Sequence, residues 1–137
     1  MARSGDNMLR RLRFMMSPQF LEAASQGIFE AADAMRAEAH HSIVAGSTSS
    51  KNRVASKPGE PPNNDSGFLA SNIEVSRPSP FTARVTSHAP YSAVHEFGSS
   101  THPARPFMRP ARDKVQPEAE RLLEQQIAKA RRKFRRG

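Results

Sequence analysis

Histidine and glutamate are the residues of this chain that could hold a metal ion or move a proton. His88, His95 and His102 recur at steps of seven, and Glu96 follows the second of them. Imidazole and carboxylate groups bind zinc, but this spacing matches no known ligand pattern, so we expect no metal site and no cofactor. The other two histidines are adjacent, and on a helix they would point about 100° apart, which prevents both from binding one ion.

Glu96 is the only acidic residue between Val75 and Arg112. A general acid or base would need a second carboxylate or a histidine placed beside it, and the chain contains no serine-nucleophile or phosphate-binding motif. The sequence therefore favours a structural carboxylate that pairs with a guanidinium group and fixes a loop. We therefore expect no enzymatic activity. The opposing hypothesis, a hydrolase, would require measurable turnover that disappears in Glu96→Gln. The arginines available as partners are Arg77, Arg84, Arg105 and Arg109.

Length and composition limit the architecture that must position these residues. The chain has 137 residues, 36% of them apolar, which suffices for one core but not for two ordinary domains. The absence of cysteine excludes disulfides, thiolate nucleophiles and cysteine-based zinc sites. No apolar run reaches the roughly twenty residues of a membrane span, and the N-terminus lacks the apolar stretch of a signal peptide. Eleven prolines indicate that many residues lie outside the core, which favours an oligomer.

The formal charge of +8 is concentrated at the two ends of the chain, whereas residues 17–128 are close to neutral. Clustered Lys and Arg are typical of surfaces that face a polyanion, because each phosphate contact releases counterions. A solvated tail, or an arm that pairs with an acidic protein, has the same composition. The candidate contacts for DNA or for such a partner are Arg10, Arg11, Arg13, Arg131, Arg132, Lys133, Arg135 and Arg136.

A long N-terminal helix is the clearest element that the sequence predicts. Ser17 and Pro18 suit the N-cap and first position of a helix, and apolar residues at steps of three and four continue to an end near Gly46. Residues 1–16 mix arginines with apolar side chains, which predicts a basic arm that becomes an amphipathic helix against a partner. Residues 46–66 are rich in loop-forming types and predict a long flexible loop.

A small antiparallel sheet follows this loop. One helical turn at Phe68 and Leu69 is expected before two strands at 73–77 and 81–88, whose alternation places Phe81 on the buried face. Residues 91–97 fit either a third strand or a short helix, because their apolar side chains recur at steps of both two and three.

A C-terminal helix is predicted from Pro106 onward by an apolar stripe that continues to Phe134. Pro110 would lie in its first turn, and Pro117 would mark a kink or the start of a second helix. The predicted organisation is a basic arm at 1–16, one α+β domain at 17–128 and a basic tail at 129–137.

The most specific motif lies between Ala89 and Ala111. It reads Y-x-x-x-x-E-F-G from Tyr91 and H-P-A-R-P-F-M-R-P-A from His102. Both segments resemble the neck or tail-completion proteins of long-tailed bacteriophages, the family named after gene product ten of a lambda-like siphophage. The resemblance covers about residues 58–128. It includes the family's P-P-x-x-T-G-x-L-x-x-S-I element, in which Ser66 here replaces the usual threonine.

This resemblance implies a small α+β subunit with a long N-terminal helix, a small antiparallel β-sheet, a C-terminal helix and extended basic arms. It also implies a six-fold or twelve-fold ring in the virion, assembled in the host cytoplasm, that joins the connector to the tail tube around the DNA channel. Its partners would be copies of itself, other neck, connector and tail-tube proteins, and the DNA. The alternative from a different class is a small basic DNA-binding protein that forms no rings.

Two interpretations of the motif remain open. In the first, Phe97 fills the core, Gly98 takes a left-handed or turn conformation, and the prolines stiffen the junction before the last helix. In the second, the same junction projects Arg105, Phe107 and Arg109 and forms the contact between subunits. The motif residues are Tyr91, Glu96, Phe97, Gly98, Pro103, Arg105, Pro106, Phe107, Arg109 and Pro110.

Overall fold

Two long helices and one hairpin form the body of the protein, which confirms the predicted α+β class. The computed structural model describes residues 2–45, 56–62 and 67–136. The predicted loop at 46–66 therefore falls largely outside the described residues. The elements in chain order are α1 (Ala2–Met15), α2 (Pro18–Ala45), α3 (Phe68–Ser71), β1 (Ile73–Ser79), β2 (Thr82–Ser87), α4 (Ser92–Phe97) and α5 (Met108–Arg136).

Helix α2 begins where the sequence predicts, because Ser17 caps it. The Ser17 hydroxyl accepts a hydrogen bond from the backbone N–H of Phe20 at 3.2 Å and donates one to the carbonyl of Phe14 at 2.5 Å. The same hydroxyl therefore caps the N-terminus of α2 and binds a carbonyl group at the C-terminal end of α1. Ser17 is buried, so the cap also fixes the corner between α1 and α2.

Helices α2 and α5 pack against each other in antiparallel orientation. Ala23 lies with Ala130 at one end of the pair, and Ala39 lies with Ala111 at the other. Small residues allow the close approach: a Cβ atom at Gly27 would lie 2.8 Å from Leu123 Cδ1 and 3.1 Å from Leu123 Cα. Because glycine has no side chain, α2 and α5 can approach this closely at Gly27, which sets the point where the two helices cross.

We expect Gly27→Val to lower the free energy of unfolding by about 2 kcal/mol. Overpacking at the Leu123 backbone costs about 1–3 kcal/mol and outweighs the few tenths that valine gains over glycine in helix propensity. Urea denaturation followed by circular dichroism measures the change. Gly5→Val is the matched control, because a Cβ at Gly5 meets nothing within 4 Å. An equal or smaller loss at Gly27 than at Gly5 would contradict this crossing geometry.

The predicted hairpin is confirmed, with its strands antiparallel and Val75 opposite Val85. It packs on α2, where the Arg77 guanidinium lies 4.2 Å from the centroid of the Phe29 ring. Phe81 lies in the turn between the strands and is exposed, so its predicted place on the buried face is wrong. The alternation that predicted its burial does not extend beyond Thr82, where β2 begins.

The main core joins α2, α3, β1 and the start of α5. Its largest fully buried side chains are Ile43 and Phe107, packed with Leu69 and Ile73. The predicted helical turn at Phe68 and Leu69 is present as α3.

Helix α5 is continuous from Met108 to Arg136 and contains Pro117, so the alternative of a second helix starting there is wrong. Its last turns meet α1 through a second aromatic core of Phe14, Phe20 and Phe134. The Phe14 ring centroid lies 5.5 Å from each of the other two. No helix in the described part of the chain combines the length and the apolar composition that crossing a membrane requires.

Candidate functional site

The Glu96 carboxylate binds the N-terminus of α5. Its Oε2 accepts the backbone N–H of Phe107 at 2.9 Å and that of Met108 at 3.0 Å, and its Oε1 accepts that of Arg109 at 2.9 Å. The first turn of a helix has N–H groups without intrahelical acceptors and carries positive partial charge. One anionic side chain from α4 therefore satisfies these groups and complements the helix dipole.

Proline completes this cap. Phe107 precedes α5 and Met108 begins it, so Pro110 is the third helical residue and brings no N–H group. Four amides normally lack acceptors at a helix start. Here the backbone N–H groups of three of these residues donate to Glu96, and the fourth residue is a proline, which has no N–H group. The N-terminus of α5 therefore has no unsatisfied amide. The prediction that Pro110 lies in the first turn is confirmed.

The predicted guanidinium partner of Glu96 is wrong for the described residues. Arg77 donates to Gln26 Oε1 at 3.3 Å, and Arg105 Nε donates to the carbonyl of Ser56 at 3.0 Å. Arg109 reaches Glu96 through its backbone N–H and leaves its side chain exposed. The carboxylate is structural, but it binds main chain rather than arginine side chains.

The segment between α4 and α5 returns on itself at Gly98. This residue has φ 75°, and its N–H donates to the carbonyl of Val94 at 2.8 Å. A Cβ there would lie 2.9 Å from the backbone nitrogen of Ala104. Glycine is therefore required by conformation and by space, as the motif predicts. The backbone N–H of Arg105 donates to the carbonyl of His95 at 2.6 Å, which closes the segment.

Residues 56–62 lie against this closed segment. The N–H of Gly59 donates to the carbonyl of Ala104 at 2.8 Å, next to the Arg105 contact with Ser56. Pro103 is exposed and Pro106 is half-buried beside them. The junction is thus a structural unit of α4, the returning segment and the start of α5.

The two phenylalanines of the motif have the opposite of their predicted roles. Phe97, expected to fill the core, is 81% exposed, whereas Phe107, expected to project in the subunit-contact interpretation, is 0% exposed. Phe107 fills the main core with Ile43 and Ala111. Phe107 therefore does not project as the subunit-contact interpretation expected, and Phe97 is the most exposed aromatic side chain of the motif.

A mostly apolar groove of about 460 Å³ lies beside Phe97, between α4 and the start of α5. Met35, Ala93 and Met108 line it, with Arg109 and Arg112 also in its lining. Residues 92–97 form α4 and not a third strand, so the helical alternative for this segment is confirmed. Tyr91, directly before α4, is 41% exposed and packs edge-on against His95 with ring centroids 5.4 Å apart.

The three histidines at steps of seven contact different neighbours and do not converge on one site. His88 Nε2 lies 2.6 Å from a Glu74 oxygen, and His102 Nδ1 lies 2.9 Å from the Thr101 hydroxyl. Burial, and then coulombic interactions with Arg105 and His102, lower the pKa of His95 below its ordinary value. Within the described ranges, no group of three His, Cys, Asp or Glu residues is arranged to hold a metal ion.

The basic residues of the two chain ends lie close together. Phe14 of α1 packs on Phe134 of α5, and the Arg131 guanidinium lies 5.6 Å from the Phe14 ring centroid. The role of Phe14 was not predicted from the sequence. The sequence contains a partial indication of it. On a helix, Phe14 lies about 120° from the face of α1 that carries Met8, Leu12 and Met15, so its side chain must pack on a different neighbour from the one that covers that face.

Comparisons of this chain with protein-family models, with characterised proteins and with solved structures found no match.

Proposed function

We propose that this chain is a structural subunit of a tailed-phage virion. It forms a ring at the head-tail junction, as a neck, tail-completion or tail-terminator protein, and joins the connector to the tail tube around the DNA channel. The support comes from the motif at residues 89–111 and from what that motif builds. It builds a junction whose backbone N–H groups are hydrogen-bonded to Glu96 and within the returning segment, and it leaves the Phe97 ring largely exposed.

The observation that carries the proposal is the exposure of Phe97. A phenylalanine that is 81% exposed at the edge of an apolar groove leaves hydrophobic surface in water. Exposed apolar patches of this kind mark contacts with other proteins, and buried aromatic anchors dominate the energy of such contacts. We infer that the Phe97 side chain and the adjacent groove are covered in the assembled ring.

A second exposed apolar surface lies at the other end of the molecule. Met8, Leu12 and Met15 share one face of α1 and are 63%, 45% and 55% exposed. Helix α5 is about 43 Å long, with Phe97 beside its first turn and α1 against its last turns. Two different contact surfaces at opposite ends allow head-to-tail association of identical subunits, which closes into a ring when the rotation between subunits permits.

The test is the mass of the assembled protein by light scattering, together with negative-stain images. We expect rings of six or twelve copies for the unmodified chain and monomers for Phe97→Ser. Phe81→Ser is the matched control, because Phe81 is 50% exposed in the hairpin turn and should leave the rings intact. Absence of the chain from purified particles, or rings that persist in Phe97→Ser, would contradict the proposal.

The convergence of the basic chain ends favours the second candidate, a small DNA-binding protein that forms no rings. The same measurement separates the two. A chain that stays monomeric or dimeric at every concentration and binds duplex DNA supports the second candidate.

A further inference from the structure

The most concentrated charge on the molecule lies where α1 meets the last turns of α5. Residues 2–15 and 129–136 contain ten Lys and Arg residues and a single acid, Asp6. All ten are exposed, and in the described part of the chain none of them forms an ion pair with a carboxylate. Like charges held this close repel one another, so a surface of this composition is stabilised by an external anion.

The two basic segments are separated by 113 residues of sequence, and an aromatic cluster holds them together. The Phe14 ring is 4% exposed and packs on Phe134 from α5 and on Phe20 from α2. Arg131 stacks on the same ring. On α1, Arg10 and Arg11 lie on either side of Phe14, because residues three and four positions apart share a helix face. They therefore border the contact with α5.

We propose that α1 and the last two turns of α5 form one composite surface that binds the phosphate backbone of duplex DNA, with Phe14 positioning the two basic segments. This surface does not depend on the ring: it uses the Phe14 side of α1, whereas the proposed subunit contacts use Phe97 and the opposite, apolar side of α1. Its chemistry is charge pairing with phosphate oxygens, for which arginine is well suited.

The aromatic side chains at this surface favour duplex over single-stranded nucleic acid. Single strands bind proteins that offer exposed aromatic rings on which bases stack. Here Phe14 is buried, and Phe20 and Phe134 are only partly exposed, because all three are used in holding the helices together. The side chains that remain available to a ligand are those of arginine and lysine, which contact backbone phosphates without recognising the base sequence.

The first test measures binding of a 20-base-pair duplex of mixed sequence by fluorescence anisotropy across a salt series. We expect log K to fall with log salt with a slope of about −5, corresponding to about six phosphate contacts, and single-stranded DNA of equal length to bind at least about tenfold more weakly. Phe97→Ser should retain full affinity for the duplex, so that failure of ring assembly and failure of DNA binding are observed separately.

Two variant pairs locate the site. Arg131→Gln with Arg135→Gln should weaken binding about tenfold or more at moderate salt and reduce the slope by about two. Arg84→Gln with Arg121→Gln removes the same charge elsewhere on the molecule and should have little effect beyond about twofold. Phe14→Ala keeps every charge and should weaken binding about tenfold and lower the slope, whereas Met8→Ala should not.

The proposal is overturned by any of three results: no duplex binding at 10 µM protein and 0.1 M salt, equal losses in the two arginine pairs, or competition by polyglutamate as strong as that by DNA at equal charge. If circular dichroism shows that Phe14→Ala unfolds the body, the arginine pairs decide the outcome, because their side chains are exposed, and the same circular dichroism measurement verifies that each pair is folded.

Discussion

Phe107→Ala is expected to lower the free energy of unfolding by about 4 kcal/mol, a large part of the 5–15 kcal/mol typical of a whole domain. The Phe107 ring is completely buried between α2 and the start of α5, and the surrounding helices cannot close the space that alanine would leave. The cost combines the lost transfer free energy of the ring with the cavity that remains. Chemical denaturation followed by circular dichroism measures it.

Phe97→Ala is the matched comparison for this prediction. Both residues are phenylalanines of the same motif, but Phe97 is 81% exposed, and its replacement should change the stability of dilute, unassembled protein by less than about 0.5 kcal/mol. A larger loss at Phe97 than at Phe107 would show that the positions of the two rings are exchanged in the folded protein.

Glu96→Gln is expected to cost about 2–3 kcal/mol and to lower the melting temperature by roughly 10 °C. Three backbone N–H groups donate to the two carboxylate oxygens of Glu96. Glutamine keeps one acceptor oxygen, and its NH₂ group would face the amides that formerly donated to the second. The substitution also removes the negative charge from the positive end of the α5 dipole.

Calorimetry of Glu96→Gln should be compared with Glu120→Gln. Glu120 is an exposed residue within α5, and its neutralisation removes the same charge without touching a helix end. We expect its effect to stay within about 0.5 kcal/mol. Equal effects of the two substitutions would mean that the cap contributes nothing beyond net charge.

The parts of the fold that sequence could predict are those governed by local patterns. The start of α2 follows from Ser17 and Pro18, since capping depends on neighbouring residues. The hairpin follows from its alternating side chains, and α5 follows from its apolar stripe. The positive φ of Gly98 was predictable for the same reason, because the turn that needs it is local.

The parts that sequence could not predict depend on how separate elements meet. Helix α4 has six residues, too few for periodicity to show which face is buried, so one of the two interpretations placed Phe97 in the core. Phe107 lies in the junction before α5, where no periodic pattern shows its burial, and the other interpretation placed it on the surface. The partner of Glu96 was missed because a helix N-terminus attracts a carboxylate through backbone amides, which no residue type displays. The contact of Phe14 with Phe134 joins residues 120 positions apart, beyond any local pattern.

The cap on α5 also links two segments of very different intrinsic stability. A six-residue helix such as α4 does not persist alone in water, whereas the 29 residues of α5 pack along α2. Through Glu96 the first turn of α5 depends on α4, so this turn and α4 should open and close as one cooperative unit. Hydrogen exchange at the amides of Phe107, Met108 and Arg109 would then report local unfolding of α4 rather than fraying of the long helix that contains them.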